Sequence, residues 1–147
     1  MNREILFRGK CIEDNCDERG KWVYGYLVHG TYFDDSEMTI IVEPDVTFYP
    51  GCEMSGFEIV DRETVGQYTG LKDKNGNKIF EGDVLDDEPY GIAVIGYSKS
   101  SFNYRYVDDL PTQTHSIDCY EFGTCVDMCE IIGNVHDNPE LLVEGEK

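Results

Sequence analysis

The chain has 147 residues, with 12 basic side chains against 30 acidic ones and a net charge of −18. That length suits one domain, or two small lobes sharing a core, and 10 Tyr, 7 Phe and one Trp exclude the aromatic-poor composition of a disordered acidic chain. A field of this sign disfavours direct docking on nucleic acid or on anionic lipid, and no apolar window approaches the ~20 residues of a membrane helix.

The opening Glu4-Ile5-Leu6-Phe7-Arg8 reads as a short strand, and Cys11 to Gly20 as an exposed loop or hairpin tip rich in Asp, Glu, Asn and Gly. In Lys21 to Val28 the residues Trp22, Tyr24, Tyr26 and Val28 alternate with Val23 and Leu27, which predicts a strand partly covered on both faces. Gly30 permits a turn, Asp34 to Glu37 form a polar tip, and Met38 to Glu43 make a β-branched strand that stops at Pro44. Asp45 to Gly56 read as a long connection, followed by short strands at Phe57–Val60 and Val65–Tyr68.

Asn75-Gly76, between Leu71 and Ile79, is the clearest local signal. The pair suits a type I′ hairpin turn, which needs positive φ at both central positions. Glu81-Gly82-Asp83 predicts a second corner leading into Val84-Leu85, and Asp86 to Pro89 a polar break. Gly91 to Tyr97 is nearly continuous apolar sequence, as in a strand covered on both faces. Phe102 to Val107 alternates, Asp108 to Ser116 reads as loop, Cys119 to Cys129 is ambiguous, and Glu130 to Val135 is a late strand. Asp137-Asn138-Pro139-Glu140-Leu141-Leu142 joins a capping side chain, a proline suited to the first helical position and an early glutamate, so a short helix is expected.

Candidate chemistry is sparse. Asp73-x-Asn75-Gly76 resembles part of a calcium loop, but that alignment puts Leu71 and Gly82 where carboxylate ligands belong. Cys11/Cys16 and Cys125/Cys129 have four and three intervening residues, where a structural zinc knuckle more often holds two or three, and spacing alone does not favour a zinc site. With no secretory signal in Met1 to Lys10, the chain is expected in the cytoplasm, with its six cysteines (11, 16, 52, 119, 125 and 129) reduced. His29, His115 and His136 lie in no nucleophile motif, and Glu81/Asp83 flank a turn glycine. No catalytic, cofactor-binding or metal residue is therefore assigned, no cofactor is expected, and the chain is expected not to be an enzyme.

Three segments resemble the YopX protein family of phages and prophages: Arg3 to Gly9, Gly70 to Val84, and Ile131 to Leu142. The resemblance implies a phage or integrated-element origin, a β-rich fold and homo-oligomers, and it supplies no reaction. The expected fold is mainly β, a short-stranded meander or barrel-like assembly with one short C-terminal helix. Its two lobes are placed at 1–64 and 65–147, with an SH3-like barrel over 65–135. The expected role is non-enzymatic interaction or assembly, with itself or with a host or phage protein. The alternative is an acidic mimic of nucleic acid that inhibits a host DNA- or RNA-binding protein.

Overall fold

The structure, a computed structural model, describes residues 4–12, 20–44, 56–88, 90–98, 101–109, 113–117 and 128–142. The described strands are β1 (Phe7–Cys11), β2 (Trp22–Thr31), β3 (Glu37–Val42), β4 (Phe57–Lys72), β5 (Lys78–Phe80), β6 (Asp83–Asp87), β7 (Gly91–Ser98), β8 (Ser101–Tyr106), β9 (His115–Ser116) and β10 (Glu130–Asn134). One turn of 3-10 helix follows at Pro139–Leu142. The fold is mainly β with a short C-terminal helical turn, as expected. The chain divides into two compact units, Met1–Gln67 and Tyr68–Lys147.

In the first unit β1 pairs with β2, β2 with β3, β3 with β4, and β4 back with β1, all antiparallel. Four strands thus close into a barrel, which leaves no open edge where the ladder is complete. This closed ladder lies largely N-terminal to the stretch 65–135, where strand spacing placed a barrel. Side chains alternate across each strand, so Val23, Ile41 and Val60 meet inside, flanked by Phe7, Leu27 and Val65. The interior is narrow. A Cβ on Gly25 would stand 2.0 Å from the carbonyl oxygen of Val42, so only glycine permits this strand crossing.

One 16-residue strand replaces the two short ones expected at Phe57–Val60 and Val65–Tyr68. The polar residues between them form a bulge, where the register with β1 jumps from Arg8↔Gly66 to Lys10↔Asp61. Thr64 Oγ1 holds it by accepting from Lys10 N at 2.9 Å and donating to Asp61 O at 2.6 Å. A bulge carries polar residues without ending pairing, which is why composition alone suggested a break.

In the second unit the final residues of β4 pair with β5, and a five-stranded antiparallel sheet runs β10-β6-β7-β8-β9. Its core joins Ile79, Leu85, Ala93, Ile95, Tyr104 and Cys129. The β4–β5 hairpin forms where Asn75-Gly76 placed it, but the turn is not type I′. Gly76 has φ of 82° while Asn75 keeps a negative φ. The Asp73 carboxylate organises the loop, accepting at Oδ1 from Asn75 N and Asn77 N, each at 2.9 Å. Its Oδ2 accepts from Ile131 N on β10 at 3.2 Å.

The segments that carried the family resemblance in this unit prove to be one structural knot. Asp73 ties the hairpin to Ile131, Asp83 pairs with Asn134, and Val135 N donates to Gly82 O at 2.9 Å. Asn138 N donates to Asn134 O at 2.9 Å, and Asn134 Oδ1 accepts from the N–H groups of His136 and Asp137. Pro139 then opens the 3-10 turn as its fixed φ favours.

Candidate interaction surface

The β2–β3 hairpin extends past its neighbours. Strand β1 pairs with β2 over Trp22–Gly25, and β4 pairs with β3 over Ile40–Val42, whereas the β2–β3 ladder continues to Thr31↔Glu37. A two-stranded arm results. Such an arm is marginal alone, so it depends on the barrel at its base and on the turn at its tip. At that tip Tyr32 N donates to Ser36 O at 2.8 Å, and Asp34 Oδ1 accepts from Ser36 N at 3.0 Å. The Ser36 hydroxyl and N–H hold the Asp34 carboxyl below its ordinary pKa.

The two faces of the arm differ. Outside, Tyr24, Tyr26 and Val28 remain 44%, 53% and 43% exposed on a strand otherwise built to cover apolar side chains. They continue sideways through Tyr26↔Val42, Val28↔Ile40 and Gly30↔Met38. Phe33 at the tip is entirely exposed. From Trp22 to Phe33 no Asp, Glu, Lys or Arg occurs, the longest such run in the chain.

On the other face the row that fills the barrel through Val23, Leu27 and Ile41 turns polar beyond the core. His29, Thr31, Glu37, Thr39 and Arg62 line a cleft of about 500 Å³ there, which Gly30 and Met38 of the outer-face row also border. Arg62 lies 3.6 Å from Glu37, both largely exposed. A second hollow of about 410 Å³ reaches the tip along Thr31, Tyr32, Phe33, Asp35 and Met38. The alternation of Trp22 to Val28 signalled the outer face in the sequence. The cleft had no signal, because Arg62 enters it from a distant strand.

His29 alone of the three histidines lines this cleft. His115 sits in the second unit, with Nε2 3.0 Å from Asp109 Oδ2 and its ring stacked on Tyr104 at 5.1 Å. Tyr106 N also donates to Asp109 Oδ2, at 3.1 Å, and Tyr106 OH donates to Asp87 Oδ2 at 2.5 Å. These groups bind one another and tie β8 to β9. His136 lies in the turn before the 3-10 helix. Of the Glu81/Asp83 pair, Asp83 is buried and its Oδ2 accepts from Phe80 N at 2.7 Å, a structural duty.

Cys11 corrects two expectations. It is buried at the end of β1, not in an exposed loop. It is also disulfide-bonded, not a reduced thiol. A disulfide sulfur has no thiolate to give a metal. Cys129 is a core residue, while Cys16, Cys52, Cys119 and Cys125 lie outside the described residues. Among the described residues, no three His, Cys, Asp or Glu side chains gather as a metal site requires. None of the described helices is long and apolar enough to cross a membrane.

Comparison places these features in context. A family model described as YopX protein matches residues 17–143. Protein EF1440 from Enterococcus faecalis, a solved crystal structure, is similar with a TM-score of 0.56 and 26% identity, the match covering 95% of this chain and 99% of that one. A search of curated proteins finds no match.

Proposed function

The chain belongs to the YopX protein family, and from that premise we propose that it is a non-enzymatic assembly module that associates with itself through the outer face of the β2–β3 arm. The observation that carries this is the exposed row Tyr24, Tyr26 and Val28, backed across the ladder by Val42 and Ile40. Contact areas are anchored by such apolar and aromatic clusters. Charge selects the occupant. Copies that each carry −18 repel one another least where they meet on the stretch Trp22 to Phe33, which holds no Asp, Glu, Lys or Arg. A basic partner would instead seek the acidic faces. We further propose that this assembly acts in the cytoplasm of a cell carrying a phage or mobile element, without direct nucleic-acid contact.

Sedimentation equilibrium at micromolar concentration tests this. The wild-type chain should have at least twice the monomer mass, and Tyr26→Glu with Val28→Glu should return it to the monomer with an unchanged circular dichroism spectrum. A strictly monomeric wild type would remove the proposal. If that monomer captured basic proteins that salt releases, the nucleic-acid-mimic function would replace it.

A further inference from the structure

Resting on self-association through the arm, we infer that the tip of one copy, Phe33 with Asp35, docks into the His29/Arg62 cleft of a second copy, two such contacts forming about a two-fold axis. Phe33 is entirely exposed, although the turn that presents it is well ordered by Asp34 and Ser36. A large aromatic ring held out on a fixed turn loses little conformational entropy on docking, which is the property of an interface anchor. Asp35 stands two residues on, at φ of 68°. Asp34 already spends one oxygen on Ser36 N and Oγ, whereas no side-chain partner engages the Asp35 carboxylate among the described residues. The tip therefore offers one apolar group and one uncommitted anion.

The cleft offers their complements. Arg62 is one of only 12 basic residues in the chain. Its guanidinium has five N–H donors, and its salt-bridge partner Glu37 lies at 3.6 Å, beyond hydrogen-bond range. His29 and the hydroxyls of Thr31 and Thr39 add polar contacts, and Met38 supplies an adaptable apolar wall. An arm cannot fill its own cleft with its own tip, because the ladder from Tyr26↔Val42 to Thr31↔Glu37 holds the two strands straight. Phe33 lies four residues from His29, roughly 13 Å along a strand. Two arms laid antiparallel with that overlap, outer face to outer face, would bring each tip to the Gly30/Met38 border of the other's cleft. The arrangement is self-complementary and closes at two copies.

Sedimentation equilibrium of four full-length variants tests the docking. Phe33→Asp and, separately, Arg62→Glu should each weaken self-association at least tenfold. Asp35→Lys should do the same. Arg62→Glu combined with Asp35→Lys should recover most of the wild-type affinity, because the ion pair is rebuilt with its signs exchanged. Recovery in the double variant excludes misfolding as the cause of loss in the single ones. If Arg62→Glu and Phe33→Asp associate as wild type does while Tyr26→Glu with Val28→Glu is monomeric, the tip-in-cleft contact is wrong and assembly through the outer face stands. Weakening of both single variants without recovery in the double variant overturns the Asp35–Arg62 pairing.

Discussion

Asp73→Ala is expected to destabilise the second unit by about 3 kcal/mol, measured as a lower urea midpoint with an unchanged slope. Asp73 is buried, and its carboxylate serves N–H groups from three residues in two distant segments. Water can replace it at the exposed turn residues Asn75 and Asn77. The N–H of Ile131 on β10 has no such substitute, so it bears most of the loss. Burial pushes the Asp73 carboxyl toward a higher pKa, but the hydrogen bonds from Asn77, Ile131 and Asn75 outweigh it and hold the group below its usual value of 3.8. A depressed folded-state pKa means that the stabilisation is complete above the unfolded value and disappears as pH falls through the folded one. The stability difference between wild type and Asp73→Ala should therefore be constant at neutral pH and shrink below about pH 3.8. Using the difference cancels the relief of carboxylate repulsion that acid brings to both chains. A loss under 1 kcal/mol would show that Asp73 does not clamp the hairpin to β10.

The parts of this fold legible in the sequence were those whose cause is local. Asn75-Gly76 marked a hairpin because turn backbone needs it, and Asn138-Pro139 marked a helical start for the same kind of reason. Even there the local rule went only so far. Asn75 was expected at positive φ, and the Asp73 side chain instead built a turn that spares it. The polar run from Asp61 to Thr64 reads as a break because no composition rule separates a bulge from a turn. Only the pairing of Lys10 with Thr64, 54 residues apart, distinguishes them. Barrel closure is likewise a property of β1 meeting β4, with Phe7 opposite Gln67. The outer face was half visible, since Tyr24, Tyr26 and Val28 alternate as a strand should. Whether that row faced a core or the solvent depended on which phase the barrel would bury. The cleft was invisible for the same reason as the barrel.

Gly25→Ala should be the most damaging single-methyl change in the first unit, costing more than about 4 kcal/mol, while Gly30→Ala on the same strand should shift stability by less than about 1 kcal/mol. The contrast lies in what each new methyl meets. At Gly25 the nearest atoms are the oxygen and carbon of Val42 at 2.0 and 2.7 Å and Glu43 Cα at 3.1 Å, all backbone. Relief therefore requires β2 and β3 to part just where the ladder turns into the barrel. At Gly30 the neighbours are Met38 Cγ at 3.2 Å, its Sδ at 3.5 Å and Ile40 Cδ1 at 3.6 Å, and flexible side-chain ends move cheaply. Trp22 is the only tryptophan and sits on β2, so its fluorescence reports this unit alone during urea unfolding. Native-like emission and an unshifted midpoint in Gly25→Ala would contradict the closed four-strand barrel. The same pair of variants separates base from arm. If the barrel is what holds the arm in place, Gly25→Ala should lose self-association along with Trp22 protection, and Gly30→Ala should keep both.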